Sequence, residues 1–263
     1  MQYLTGLIST VAAALPSPAS AETLQPIGKW TVDYGETSCL AARSFGDPKK
    51  PLLLAFRPSL NDTTVRIILA SHAGGTDARH FPVRGSGAKT TGLRFFAKQT
   101  KRRIVWIDLA SAEFDRIATG KTIELKGENL DLDLSLAGMS AALKAMRTCN
   151  TSLRQHWNAD EAGQAKIASR AGALVRPERL VSGNDYPGQA LNELRGGRTR
   201  VSLLIDEKGV AKECVVEEHS GVATIDAQTC IMIMKRSKFT PAKDQAGKPV
   251  KSFLSYAFKW QIG

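Results

Sequence analysis

Apolar and polar positions alternate along the carboxyl-terminal third of the chain in a pattern that is typical of half-buried strands. One alternating run covers residues 201–205, and a second covers residues 210–216 after a polar turn at residues 206–209. The period then changes to that of a helix over residues 225–236, which has an acidic side chain in its first turn and basic side chains in its last, as the helix dipole favours. This stretch therefore predicts a hairpin followed by a helix.

Two further elements flank this hairpin and helix. Residues 188–194 predict a short helix that begins directly after Pro187, whose missing N–H is harmless in a first turn. Residues 250–260 predict a final strand that carries its larger apolar side chains on one face: Leu254, Tyr256, Phe258 and Trp260. The predicted order is αββαβ, which indicates a small two-layer domain with an antiparallel sheet.

Residues 22–157 predict a separate, strand-rich α+β domain. Its last element is an amphipathic helix from Met139 to His156. Asn61-Asp62 is a turn signal between the third and fourth predicted strands, which are therefore expected to form a hairpin. The predicted strands are Trp30–Tyr34, Cys39–Phe45, Leu52–Arg57, Val65–Ser71, Arg103–Leu109, Thr122–Lys126 and Leu130–Leu136.

The segments outside these two domains have distinct compositions. Residues 1–21 contain no charged side chain and end in Ala19-Ser20-Ala21, a small-residue cleavage pattern that is typical of a signal peptide. The apolar run is shorter than the ~20 residues of a membrane-spanning helix, so export to the periplasm is favoured over an uncleaved inner-membrane anchor. Residues 158–176 are polar and rich in Ala and Gly, which predicts a short tether before the domain at residues 177–263.

The four cysteines fit an oxidising compartment. They allow three pairings, which sequence alone does not separate. The division into domains favours Cys39 with Cys149 and Cys214 with Cys230. In the second pair, Cys214 lies on the inward face of the hairpin and Cys230 on the apolar stripe of the predicted helix.

The carboxyl-terminal unit resembles the C-terminal domain of the TonB energy-transducer family over about residues 175–262. The resemblance rests on four motifs in order: Tyr186-Pro187, Asp-x-x-Gly in the hairpin turn, Ser-Gly-x-x-x-Ile-Asp before the second helix, and Phe-x-Pro-Ala after it. Members that transduce energy have an amino-terminal membrane helix and a long Pro-rich spacer. The short tether and the signal-like terminus of this chain depart from that pattern, which argues against coupling to an inner-membrane motor.

The resemblance implies a binding function at the edge of the sheet. In the family, the last strands recognise an extended segment of an outer-membrane receptor by strand addition. It therefore implies a protein partner in the cell envelope, such as a TonB-dependent receptor, and a role linked to transport across the outer membrane. A homodimer through the same sheet is a further expectation. The implied partner-binding residues are Tyr186, Pro187, Val250, Ser252, Leu254, Ser255, Tyr256 and Phe258.

Charge suggests one alternative function. The net charge is +11, and residues 22–157 carry 20 basic and 13 acidic side chains, or +7 of that total. A basic face could bind cell-wall or lipid anions, so a structural envelope protein without a transport role is the second interpretation. Nucleic acid is not expected as a partner outside the cytosol.

No pattern typical of an enzyme stands out. Residues 85–90 have the composition of a phosphate-binding loop but lack its spacing, and they predict a turn. The four histidines show no metal-ligand spacing, and no pair of carboxylates suits acid–base chemistry. We therefore expect no catalytic residue, no metal, no cofactor and no small-molecule substrate.

Overall fold

The computed structural model describes residues 23–75, 78–176, 179–180 and 182–262. The predicted signal peptide, residues 1–21, lies outside the described residues. Within the described ranges, every helix is too short or too polar to cross a bilayer. The described residues form both strands and helices, and strands predominate.

Residues 23–157, called here the N-terminal part, are built on one large sheet. Its order among the described residues is β1-β10-β9-β6-β7-β8-β5-β4-β3-β2, and neighbouring strands are antiparallel except for β1 and β10. Helices α1 and α2 pack on this sheet. The elements are β1 (Thr23–Leu24), β2 (Pro26–Tyr34), β3 (Cys39–Phe45), β4 (Leu52–Pro58), β5 (Thr64–Ser71), β6 (Arg79–Gly85), β7 (Ala88–Ala97), β8 (Arg102–Ala110), α1 (Ser111–Ala118), β9 (Thr122–Gly127), β10 (Leu130–Ser135) and α2 (Met139–His156).

The apolar faces of these elements form one core. Helix α2 covers strands β2 and β3, and the disulfide between Cys39 and Cys149 joins it to the sheet with a Cα–Cα distance of 6.0 Å. Trp157, directly after the helix, is fully buried, and its indole N–H donates to the Glu36 carbonyl at 3.0 Å. The predicted pairing of Cys39 with Cys149 is confirmed.

The seven predicted strands and the helix of this part all form, within a few residues of the predicted ends. Strands β4 and β5 form the expected hairpin. Strands β1, β6 and β7 and helix α1 were not predicted. Most outward positions of β6 and β7 carry polar side chains. One proline and two glycines interrupt the alternation of apolar and polar residues, and this weakens the period-two signal.

Residues 158–176 contain more structure than a tether would. Helix α3 (Glu161–Lys166) begins at Asp160, whose carboxylate accepts from the Gly163 N–H at 3.0 Å. Strands β11 (Ile167–Ser169) and β12 (Gly172–Ala173) follow it, and each pairs with a short strand from residues 239–244. The segment is thus bound to the carboxyl-terminal elements by backbone pairing, while the domain boundaries themselves stay a prediction.

Residues 158–262, called here the C-terminal part, contain a second small sheet. Its order is β14-β13-β18, with antiparallel neighbours, and helix α5 packs on one face. The short strands β15, β16 and β17 were not in the predicted αββαβ order. After a 3-10 turn at Gly183–Asp185, the elements are α4 (Gly188–Asn192), β13 (Gly197–Ile205), β14 (Ala211–Glu218), α5 (Ala223–Arg236), β15 (Phe239–Thr240), β16 (Ala242–Asp244), β17 (Pro249–Val250) and β18 (Ser252–Trp260).

The turn between β13 and β14 shows why this hairpin forms where the sequence predicts it. The Asp206 carboxylate accepts from the backbone N–H groups of Lys208 at 2.9 Å and Val210 at 2.8 Å. Gly209 has φ +76°, a conformation that residues with a Cβ rarely adopt. The sequence Asp-x-x-Gly therefore supplies both the side-chain acceptor and the backbone freedom that the turn requires.

The two parts pack against each other through the other face of the small sheet. Leu204 of β13 is buried in the core of the N-terminal part, and Phe253 of β18 packs against the same core. At the rim, Thr37 donates to the Glu213 carboxylate at 2.8 Å, and Arg57 forms an ion pair with the same carboxylate at 3.2 Å. The small sheet therefore lies between helix α5 and the N-terminal part.

Candidate functional site

The edge of the small sheet is the first candidate site. Strand β18 pairs with β13 over its full length, from Ser252 opposite Ile205 to Trp260 opposite Gly197. On its other side, no strand of the described residues pairs with it. In an antiparallel strand, alternate residues direct their backbone N–H and C=O groups to the two sides, so β18, called here the edge strand, presents a row of backbone groups to a visiting chain.

Side chains of the edge strand alternate between two environments. Phe258 and Trp260 are buried in the core beneath α5, and Leu254 and Tyr256 pack against that core. Phe253 points to the opposite face, where it contacts the core of the N-terminal part. Ser255, in the middle of the strand, is exposed. The predicted sharing of one face by the even-numbered residues is confirmed.

The other predicted docking residues occupy different places. Tyr186 stacks edge-on against Trp260 with ring centroids 5.4 Å apart, and its hydroxyl donates to the Arg195 carbonyl at 3.0 Å. Pro187 precedes the first turn of α4. Ser252 is buried at the start of the edge strand. Val250, by contrast, lies in the separate strand β17 and pairs with Ala242, because the ladder is interrupted at Lys251. Val250 is therefore not part of the edge strand, contrary to the prediction.

A disulfide fixes the helix on the small sheet. Cys214 on β14 and Cys230 on α5 are bonded, with a Cα–Cα distance of 5.6 Å. The predicted pairing is confirmed. Because α5 covers the face that buries Phe258 and Trp260, this bond helps to hold the edge strand's packing surface in place.

A cavity between the two parts lies close to the edge strand. It has a volume of about 40 Å³, and its lining includes Ser202, Glu217 and Phe253. Burial raises the pKa of Glu217, whose carboxylate accepts from the Asn61 amide at 2.7 Å. A space of this volume can hold a water molecule but is far smaller than the ~300–1,000 Å³ of small-molecule sites.

A second candidate site is a cluster of charged and imidazole side chains between the two parts. Its five members, called here the interface cluster, are Arg66, His80, Asp108, His219 and Asp226. Arg66 on β5 and Asp108 on β8 face each other across neighbouring strands and form a bidentate ion pair, with both N···O distances at 2.7 Å. The ring of His219, which directly follows β14, lies between two carboxylates: Nε2 is 3.4 Å from Asp108 Oδ2 and Nδ1 is 3.0 Å from Asp226 Oδ2.

The remaining contacts complete the surroundings of Asp226, which lies in the first turn of α5. His80 Nε2 on β6 is 3.3 Å from Asp226 Oδ2, the same oxygen that His219 approaches. The other oxygen, Oδ1, accepts from the Thr199 hydroxyl at 2.7 Å and from the Ser220 N–H at 2.9 Å. Both oxygens of this buried carboxylate are therefore engaged.

Electrostatics in the cluster favour charged carboxylates. Burial alone would raise the pKa of Asp226, but hydrogen bonds from His219 and His80 outweigh it and hold that pKa well below its usual range. In the same way, Arg66 and His219 lower the pKa of Asp108 to about 2 against the effect of burial. Burial lowers the pKa of His219, yet its hydrogen bonds to Asp108 and Asp226 raise it to about 9. This raised pKa favours the imidazolium form of His219 between the two carboxylates at neutral pH.

Sequence reasoning did not find the interface cluster. His80 and Asp226 are 146 residues apart, and His219 and Asp108 are 111 apart. Only His219 and Asp226 are close in sequence, seven residues apart, and that spacing is not a known metal or catalytic motif. The one local signal was Asp226 itself, which was assigned only a favourable position in the helix dipole. Within residues 85–90, Ser86 and Gly87 form the predicted turn, between β6 and β7, and both have positive φ.

Comparison with known proteins identifies the carboxyl-terminal unit. Residues 182–262 match the family model described as "Gram-negative bacterial TonB protein C-terminal". No curated protein matches the chain. The matched residues run from the 3-10 turn to the end of the edge strand, so they include β13, β14, α5 and β18.

Proposed function

Residues 182–262 are a TonB C-terminal domain, and from this premise we propose that the protein works in the bacterial envelope by docking a partner protein. The partner presents an extended segment, which pairs with the edge strand and lengthens the small sheet. An outer-membrane receptor is the partner that fits the family, and the role is then linked to transport across the outer membrane. We propose no enzymatic step.

The observation that carries this proposal is the open side of the edge strand. Within residues 23–75, 78–176, 179–180 and 182–262, β18 has a strand on one side only. A strand added there gains backbone hydrogen bonds along its length, while side-chain pockets give selectivity. Side chains of the docked strand would meet two faces. Leu254 and Tyr256 are partly exposed on the α5 face, and Ser255 is exposed on the opposite face.

The disulfides support the proposed compartment. Structural disulfides persist in oxidising compartments such as the periplasm and are rare in the cytosol. Both bonds join a helix to a strand within one part of the chain, which is what a structural role requires. Location in the periplasm, after export by residues 1–21, is therefore part of the proposal.

A backbone substitution in the edge strand tests the docking mode. The probe is a synthetic peptide that contains the periplasmic amino-terminal segment of an outer-membrane receptor, titrated into ¹⁵N-labelled protein covering residues 23–263. We expect the amide shifts of Ser252 to Trp260 to change on binding. Ser255→Pro, which removes one N–H and restricts the strand, is expected to weaken binding at least tenfold.

The matched control is Ser255→Ala, which removes the hydroxyl but keeps the backbone donor. It should bind the peptide with unchanged affinity. Binding that shifts residues of β14 or of the N-terminal part but none of the edge strand in the unsubstituted protein would contradict the proposal, whether or not the Pro variant folds. A homodimer formed through the small sheet would compete with the peptide for the same edge. A dimer seen by sedimentation that dissociates when the peptide is added would show that a second copy uses it.

A further inference from the structure

We propose that His80, His219 and Asp226 form a binding site for one divalent transition-metal ion, with zinc as the best fit, which links the two parts of the chain. The proposal rests on the geometry of the interface cluster. It does not depend on strand addition at β18.

The ligand atoms are already gathered at suitable distances. One ligand atom from each of the three residues lies within 4.8 Å of the other two. Asp226 Oδ2 is 3.0 Å from His219 Nδ1 and 3.3 Å from His80 Nε2. Two ligands of a tetrahedral zinc ion, each ~2.0–2.2 Å from the metal, are about 3.3 Å apart. These two separations are close to those in a tetrahedral zinc site, and the ligating nitrogens of the two imidazole rings, whose centroids are 5.0 Å apart, would have to move closer to each other to share one metal ion.

The types of ligand also point to zinc rather than to a hard cation. Imidazole nitrogen with one carboxylate oxygen suits zinc and its neighbours in the first transition row, whereas Mg²⁺ and Ca²⁺ prefer all-oxygen sites. Two histidines and one carboxylate supply three ligands, and the fourth tetrahedral position is then open to water.

The outer contacts are those that orient metal ligands. In metal sites, a ligating histidine commonly donates its other ring N–H to a carboxylate, which fixes the ring and raises its basicity. Asp108 stands in that position for His219, with Oδ2 3.4 Å from Nε2, and is itself held by two hydrogen bonds from Arg66. The second oxygen of Asp226 is fixed by Thr199 and Ser220. The ring of His80 makes no other polar contact among the described residues, so it is directed at Asp226 alone.

The placement of the ligands gives the site a consequence for the fold. His80 belongs to strand β6 of the large sheet, whereas His219 and Asp226 bracket the start of α5 in the C-terminal part. A metal ion here would join the two parts by coordinate bonds. Metal binding should therefore stabilise the contact between the two parts.

The test uses the protein covering residues 23–263, stripped with a chelator and titrated with ZnCl₂ in a calorimeter. We expect one zinc ion per chain and a rise in the melting temperature. His80→Gln and His219→Gln should each weaken binding at least tenfold. The chain offers a matched control in His72, which is exposed and outside the cluster, and His72→Gln should bind zinc as the unsubstituted protein does.

A second measurement needs no variant. Addition of CoCl₂ to the stripped protein should give the visible absorption of tetrahedral Co²⁺, and zinc should shift the imidazole ¹⁵N resonances of His80 and His219. The proposal is overturned if the stripped protein takes up no zinc at micromolar concentration. It is also overturned if zinc shifts only His72 and His156, or if the cluster variants bind as tightly as His72→Gln. Any of these results would show that the interface cluster does not bind a metal ion.

Discussion

Replacing Asp108 by Asn tests how strongly the buried charges of the interface cluster stabilise the fold. The substitution keeps the shape of the side chain and removes its charge. It leaves Arg66, whose side chain is 9% exposed, opposite a neutral amide. Breaking a buried ion pair by removing one partner usually costs about 3–5 kcal/mol, because an uncompensated charge remains buried. We expect a loss of that order in the free energy of unfolding at pH 7.

The pKa of Asp108 gives a second estimate of how much its charge stabilises the folded state. Hydrogen bonds from Arg66 and His219, acting against burial, lower this pKa from 3.8 to about 2. A difference of one pKa unit corresponds to about 1.4 kcal/mol, so ionised Asp108 stabilises the folded state by roughly 2–3 kcal/mol relative to its protonated form. Because the folded pKa is the lower one, this contribution is present above pH 3.8 and is lost as the pH falls through about 2.

The pH dependence therefore distinguishes the charge from other effects of the substitution. At pH 3, the unfolded carboxyl group is mostly protonated and the folded one mostly ionised, so about 1 kcal/mol of the contribution is already lost. The difference between the unsubstituted protein and Asp108→Asn should be smaller by that amount at pH 3 than at pH 7. Urea unfolding with a chelator present, followed by tryptophan fluorescence, measures both values.

Asp115→Asn is the matched control for this prediction. Its carboxylate also pairs with an arginine, Arg147, but both side chains are about half exposed. Exposed pairs contribute at most about 1 kcal/mol, so this variant should unfold within 1 kcal/mol of the unsubstituted protein. Stabilisation by the Asp108 charge is contradicted if Asp108→Asn lowers the free energy of unfolding no more than Asp115→Asn does, or if its loss is the same at pH 3 and pH 7.

Two further predictions concern the C-terminal part. Replacing both Cys214 and Cys230 by Ala should lower the free energy of unfolding by about 3 kcal/mol, because the bond closes a loop of 16 residues. Gly209→Ala should cost roughly 1–3 kcal/mol or more, since the residue has φ +76° and its new Cβ would overlap the Phe239 carbonyl oxygen. Gly247→Ala shares the positive φ, at +77°, but has open space around the added Cβ, so it should cost less.

Denaturant unfolding measures all three changes. The disulfide estimate is contradicted if the double variant unfolds at the same urea concentration as the oxidised protein in matched buffers. For the glycines, the difference between the two variants isolates the close contact from the backbone strain that they share. Equal losses at both positions would show that the contact with the carbonyl oxygen relaxes freely.

The elements of the small sheet could be predicted because each directs regularly spaced apolar side chains into the core beneath α5. Residues 201–205 and 254–260 alternate in sequence because they alternate in space between the α5 core and the opposite side. Helix α5 was found from its apolar stripe and terminal charges. The pairing of Cys214 with Cys230 followed from the same faces, since a helix on a sheet brings its inward residues close to those of the strand, whereas the pairing of Cys39 with Cys149 followed from the division into domains.

The interface cluster and the packing of the two parts could not be predicted, for a common reason. They depend on which face of one unit meets another, and single-sequence periodicity contains no such information. Phe253 and Leu204 fall on the side of the small sheet that, in a two-layer domain, would face solvent. Their apolar character was a signal that a second unit covers this face. His80 and His219 gave no comparable signal, because an isolated histidine in a sequence does not indicate whether it is buried in an interface or exposed to solvent.

The covered face changes how the proposed docking site must work. A strand that pairs with β18 alternates its own side chains between the α5 side and the side that the N-terminal part covers. On the first side the strand would meet the surroundings of Leu254 and Tyr256, and on the second those of Phe253 and Ser255. Strand β14, at the other edge, is contacted by the N-terminal part, since Arg66 donates to the Val216 carbonyl at 3.1 Å. In the part of the chain that the structure describes, the β18 edge has no strand paired on its outer side, and the N-terminal part covers the face of the small sheet on which Phe253 lies. If the proposed strand docks at this edge, its side chains on the Phe253 side are the ones that would contact the N-terminal part.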